Sequence, residues 1–250
     1  KGLTMGKRHH SFYSPALGRD MAMDTHGHAG KPCLVFPSQD GRYWDYENFG
    51  MLEPCTRHLR EGKIRLYCVD GIDSETWSNT MMHPRDRLLR HEQWFRYIVD
   101  ELVPFIRDDA GWNGRMMTTG CSMGATHAVN TLFRRPDLFD TVIGLSGAYD
   151  AAWLLDGYTD DLVHLNSPVS SISAMPHDHP YIALLNTCTI IICAGQGAWE
   201  EQMLHSMGLL QEAMNQKGIN AWFDRWGPDV NHDWPWWRVQ MAYFLDKIMP

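Results

Sequence analysis

Short apolar runs bounded by turn formers alternate along this chain with longer stretches whose apolar residues recur every three to four positions. The runs at 33–36, 64–69, 116–119, 141–145, 189–193 and 219–223 predict strands, and the uninterrupted ones are of the kind buried on both faces. Helical spacing over 85–108 puts Trp94, Ile98, Leu102 and Phe105 on one inner stripe, with Pro104 kinking or ending the last regular turn. Further helices are predicted over 125–134, where Arg134-Arg135-Pro136 is a cationic end and a stop, over 201–217 with Gly218 as C-cap, and over 234–249. Residues 11–23 read as two short strands around Leu17-Gly18-Arg19. Strand alternating with helix implies parallel pairing through right-handed crossovers. The expected fold class is therefore α/β: a mostly parallel central sheet, helices on both faces and an N-terminal antiparallel hairpin. Only 148–187, rich in Ser, Pro, His and Asp, breaks the alternation, and it reads as an irregular, partly helical, cap-like excursion across the top of the sheet.

Composition narrows this picture. A chain of 250 residues with 44% apolar and 21% charged residues is long enough for a full core and is expected to form one domain over 1–250. The net charge of −8 comes from scattered acidic residues with no basic stripe, which argues against a nucleic-acid partner. No apolar run is long enough for a membrane span, and KGLTMGKRHH at 1–10 lacks the apolar centre of a signal peptide. The expected location is the cytoplasm, although a secreted form with its leader removed would read the same. Homo-oligomerisation stays open. Of the six cysteines, Cys33, Cys68, Cys121 and Cys193 sit in or beside strand-like runs, so reduced, buried thiols are expected. No C-x-x-C spacing occurs, and His9-His10, His26-Gly27-His28 and His177-Asp178-His179 read as exposed loop histidines; no metal is expected.

The candidate chemistry centres on Gly120-Cys121-Ser122-Met123-Gly124, a G-x-S-x-G placed between a strand and a helix. In α/β-hydrolases that arrangement is the nucleophile elbow: a strained turn presents the serine hydroxyl above the sheet at the positive end of a helix. A serine needs a base to take its proton and a carboxylate to hold the base's tautomer, and in this fold the order along the chain is Ser, acid, His. His232 follows the last strand. The acid belongs in 194–201, where Glu200 closes the glycine-rich loop and Glu201 starts a helix, so Glu200 is the choice, with Asp229 and Asp233 in reserve. Two backbone N–H groups should form an oxyanion hole, one from Met123 and one from Gln39 or Asp40 in the loop after the first parallel strand. Eleven tryptophans are many for this length. Trp44, Trp199 and Trp234 fall in loops at the catalytic end of the sheet, as candidate walls of a substrate pocket or as packing beneath loops.

With these residues in place, the chain resembles the esterase D-like group of α/β-hydrolases, which includes S-formylglutathione hydrolases, feruloyl and acetylxylan esterases and mycolyltransferases. The resemblance rests on GCSMGA at 120–125, RRPDLFD at 134–140, ELVPFI at 101–106 and HDWPWW at 232–237, the last being similar to the H-x-W-P-x-W of the mycolyltransferases. It implies an ester or thioester hydrolase with a serine nucleophile, a small-molecule ester substrate and no cofactor. The acid loop GQGAWEE departs from the commoner G-x-x-D form, having no aspartate. An acyltransferase or thioesterase would use the same acyl-enzyme, and a non-catalytic binding module would keep the scaffold without the chemistry.

Overall fold

The computed structural model describes residues 5–250; the first four residues of the N-terminal stretch lie outside the described residues. Eight strands form one sheet in the order β1-β2-β4-β3-β5-β6-β7-β8. They are β1 (Arg8–Ser14), β2 (Arg19–His26), β3 (Lys31–Phe36), β4 (Ile64–Val69), β5 (Met116–Cys121), β6 (Phe139–Leu145), β7 (Thr189–Ala194) and β8 (Trp222–Arg225). β1 and β2 form the antiparallel hairpin, β2 runs antiparallel to β4, and the pairs from β4 through β8 are parallel. The helices in chain order are α1 (Asp45–Asn48), α2 (Thr56–Arg60), α3 (Pro84–Arg96), α4 (Val103–Ala110), α5 (Met123–Arg134), α6 (Ala151–Leu154), α7 (Asp161–Leu165), α8 (Pro168–Ala174), α9 (Pro180–Leu185), α10 (Glu201–Gln216) and α11 (Trp234–Ile248).

The two-residue period of the strands divides the core. Leu34, Phe36, Val142, Ile190 and Ile192 face one layer with α3, α4, α5 and α10, where Trp94, Val129, Leu132, Leu210 and Met214 are buried. Cys33, Val35, Ile143, Leu145, Ile191 and Cys193 face the other, against Trp237, Met241, Phe244 and Leu245 of α11. Burial on both faces is what the apolar runs required. The chain leaves β3 for β4 on one side and then crosses to β5 on the other, so the order reverses at β3. Ligands of open α/β sheets bind beyond the carboxyl ends of the strands at such a reversal. The loop after β3 and the turn after β5 meet at that place.

Several boundaries differ from expectation for identifiable reasons. The hairpin is longer than 11–23, because pairing runs from Arg8 with Thr25 to Ser14 with Arg19. The helix expected over 85–108 breaks before Pro104: Tyr97–Leu102 form a π-helical turn between α3 and α4, and Pro104 sits in the first turn of α4. Proline has no N–H and its ring crowds the carbonyl four residues back, so the preceding turn widens to accommodate it. The last strand starts at Trp222 rather than Ile219, since the Ile219 N–H closes the end of α10 on Met214 and the Asn220 N–H donates to Asn186 Oδ1. The excursion resolves into the short helices α6 to α9. His9 and His10 lie in β1 and His26 is buried at the end of β2, so these are not exposed loop histidines. No helix of the described residues is long and apolar enough to cross a membrane.

Candidate active site

Ser122 occupies a backbone conformation that side chains other than glycine rarely adopt, with φ 56° and ψ −125°. The surroundings over-determine it. Its N–H donates to the Leu145 carbonyl of the neighbouring strand at 2.8 Å, and its carbonyl starts α5 by accepting from Ala125 at 2.9 Å. The Ser38 hydroxyl donates to the Cys121 carbonyl at 2.9 Å, tying the loop after β3 to the turn. A Cβ at Gly124 would overlap the Phe36 carbonyl oxygen, an atom of the central sheet that cannot retreat. Gly124→Ala is therefore expected to destabilise the fold by about 3 kcal/mol, the upper range for overpacking; thermal unfolding checks this, and an unchanged melting temperature would contradict it.

A second set of contacts delivers the other two side chains. The loops after β7 and β8 are zipped together: Gln196 N–H donates to the Gly227 carbonyl at 3.1 Å, Gly197 N–H to Val230 at 2.8 Å, and His232 N–H to Ala198 at 2.9 Å. The Asn231 side chain accepts from the Ala198 N–H at 2.8 Å. Gly195 is required here because any Cβ would overlap the Val230 carbonyl. Glu200 ends this loop just before α10, with no solvent exposure.

The structure brings Ser122, His232 and Glu200 together. His232 Nε2 lies 2.8 Å from Ser122 Oγ, and His232 Nδ1 lies 3.2 Å from Glu200 Oε2. Oε1 of Glu200 accepts from the Ser146 hydroxyl at 2.5 Å and from the Gly195 N–H at 3.2 Å. Ser146 Oγ in turn accepts from the Trp237 indole N–H at 3.0 Å, and the Trp237 ring stands edge-on to the His232 ring with centroids 4.8 Å apart. Sequence reasoning passed over Ser146 and Trp237; the first reads as the end of a strand and the second as one apolar residue of a helix. Of the reserve acids, Asp233 caps α11 through the Trp234 N–H and Asp229 is an exposed turn residue.

Met123 is the first residue of α5, where a backbone N–H has no partner within the helix. Gln39 lies in the loop after β3, its side chain donating to Ser78 Oγ at 2.9 Å, and Asp40 beside it has φ 59°. The same loop is anchored by a two-pronged ion pair of Arg42 with Asp70 at 2.8 and 2.9 Å. Trp44 borders it, against Tyr43 and the Arg42 guanidinium. Trp199 is 85% exposed on the acid loop in a left-handed conformation. Trp234 is stacked on Phe49 at 4.5 Å with its edge to Trp237. Among the described residues no group of three or more His, Cys, Asp or Glu is arranged to hold a metal ion.

All six cysteines are free, and all except Cys188 are buried. Burial pushes the Cys121 thiol well up, as it does Cys33 and Cys68, and raises Cys55 to about 12. Since the thiolate is the reactive form, a thiol reagent should leave Cys121 unmodified and ester hydrolysis intact in the native protein. Peptide mass mapping checks this, and loss of activity in step with Cys121 modification would overturn it.

A sheet of parallel centre, with a strained serine closing the strand beside the order reversal and a helix following at once, defines the α/β-hydrolase fold. A family model described as "Putative esterase" matches residues 14–248, and the chain belongs to this esterase family. It is accordingly a hydrolase of the esterase type. Among solved structures, a ferulic acid esterase superposes with a TM-score of 0.74 at 16% identity, covering 95% of each chain. An S-formylglutathione hydrolase from Agrobacterium tumefaciens gives 0.73 at 14% identity, covering 96% of this chain and 93% of the other. MPT51 of Mycobacterium tuberculosis gives 0.68 at 14% identity, with 97% of each chain covered. At these identities the likeness is one of fold. No curated protein matches the chain in sequence at a significant level.

Proposed function

We infer that this chain hydrolyses small-molecule carboxylic esters through an acyl-enzyme on Ser122, with His232 as base and Glu200 as the acid that orients it. The observation that carries this reading is the unbroken run of contacts from Ser122 Oγ through the two His232 nitrogens to Glu200 Oε2, at 2.8 and 3.2 Å. His232 Nε2 takes the hydroxyl proton as Oγ attacks the ester carbonyl. The carbonyl oxygen, now negative, is held by the N–H of Met123 and by that of Gln39 in the loop pinned by Ser38. His232 then protonates the departing alcohol and afterwards draws a proton from the water that releases the acid. Trp44 and Trp199 offer indole surface to the substrate from loops following the carboxyl ends of β3 and β7, with Trp234 stacked on Phe49.

Hydrolysis of p-nitrophenyl acetate, butyrate and octanoate, alongside a thioester of glutathione, tests the reading. Turnover of at least one ester is expected, and the preferred chain length sizes the acyl site. A folded protein that turns over none of them would remove the reading in favour of a binding module on the same scaffold.

A further inference from the structure

We propose that Ser146 and Trp237 form a brace that holds the Glu200 carboxylate in one rotation, so that Ser146 is a positioning residue for the base. This rests on the reading of Glu200 as the acid. A glutamate carboxylate can turn about its last bond, and only one of its oxygens serves the histidine. Here Oε1 is taken by two donors, the Ser146 hydroxyl at 2.5 Å and the Gly195 N–H at 3.2 Å, which leaves Oε2 for His232 Nδ1. The Ser146 hydroxyl has one proton to give. The Trp237 indole N–H, 3.0 Å away, can only donate, so it occupies the oxygen's lone-pair side and directs that proton to Glu200. All three side chains are buried, Ser146 and Glu200 fully so, away from bulk solvent, where such bonds are electrostatically stronger.

The backbone supports the same reading. Ser146 directly follows β6 at φ 59°, in the left-handed region that favours glycine, while its N–H donates to the Cys193 carbonyl of the strand leading to the acid loop. A serine in this left-handed conformation, completely buried and bonded on both sides, carries a backbone cost that glycine would not. Trp237 links the two members of the pair, because its ring also packs perpendicular to the His232 ring, 4.8 Å between centroids at 86°. One indole thus sets the rotation of the acid and limits the tilt of the base.

The test is a double-mutant cycle read on kcat. Ser146→Gly removes the hydroxyl and relieves the backbone, so the fold should persist. It is expected to lower kcat about 10- to 100-fold at unchanged KM, the scale of a misplaced catalytic group. In a Glu200→Gln background the same change should cost less than about 3-fold, because the amide there already turns its NH₂ toward His232 and losing the hydroxyl that holds it so does no further harm. The downfield proton resonance of His232 Nδ1–H should shift or broaden in Ser146→Gly, which a purely structural serine would not produce. Wild-type kcat in Ser146→Gly, or an equal penalty in both backgrounds, overturns the brace while leaving Glu200 as the acid. Wild-type turnover in Glu200→Gln itself overturns both. If Ser146→Gly does not fold, Trp237→Phe carries the test: a fall in kcat at unchanged KM supports the brace, and an unchanged kcat overturns it.

Discussion

Ser122→Ala is expected to lose ester hydrolysis by about 10⁴-fold or more, while the protein stays folded. The size follows from chemistry: without the hydroxyl no acyl-enzyme forms, and what remains is the rate supplied by the oxyanion donors and by binding alone. Stability should change little, or rise slightly. The strained conformation at φ 56° is imposed by the neighbours and not by the hydroxyl, which pairs with His232 Nε2 at 2.8 Å. Initial rates on an activated ester together with a thermal melt check both halves. A loss smaller than about 10-fold would place the nucleophile elsewhere.

Glu200→Gln should cost about 10⁴-fold in kcat with nearly unchanged geometry, by putting His232 into the wrong tautomer. The amide has one acceptor and one donor end. Its oxygen is drawn to the Oε1 position, where the Ser146 hydroxyl and the Gly195 N–H both donate, so its NH₂ faces His232 Nδ1. Nδ1 must then accept, which moves the imidazole proton to Nε2, and Nε2 can no longer take a proton from Ser122. The substitution is nearly isosteric in a site with no solvent exposure, so a large loss of kcat with a native melting curve separates this cause from misfolding. A loss under about 10-fold would mean that another group orients the histidine.

What could be read from the chain was what is local. The elbow is legible because strand, turn and helix are contiguous from Met116 to Arg134, and the two glycines flanking Ser122 permit the close approach. His232 and Glu200 are placed by the order of loops along the chain, and Glu200 was separable from Glu201 because one ends a loop and the other begins α10. The zipper between the loops after β7 and β8 was hidden, since it depends on two strands lying side by side. Ser146 and Trp237 were hidden for the same reason: Ser146 reaches Glu200 across 54 positions of sequence and Trp237 across 91. Exposure was equally out of reach. Trp199 and Trp234 look alike as loop tryptophans, yet one stands 85% exposed and the other is stacked on Phe49. The beginning of β8 was misplaced because Ile219 is apolar enough for a strand but is used to close a helix.

Whether Ser122 is the nucleophile of this esterase is decided by a phosphonate serine probe followed by peptide mass mapping. One covalent label on the peptide holding Ser122, formed as hydrolysis is lost and absent in Ser122→Ala and in the unfolded protein, is the predicted result. A label on another residue, or none on an active protein, would contradict it.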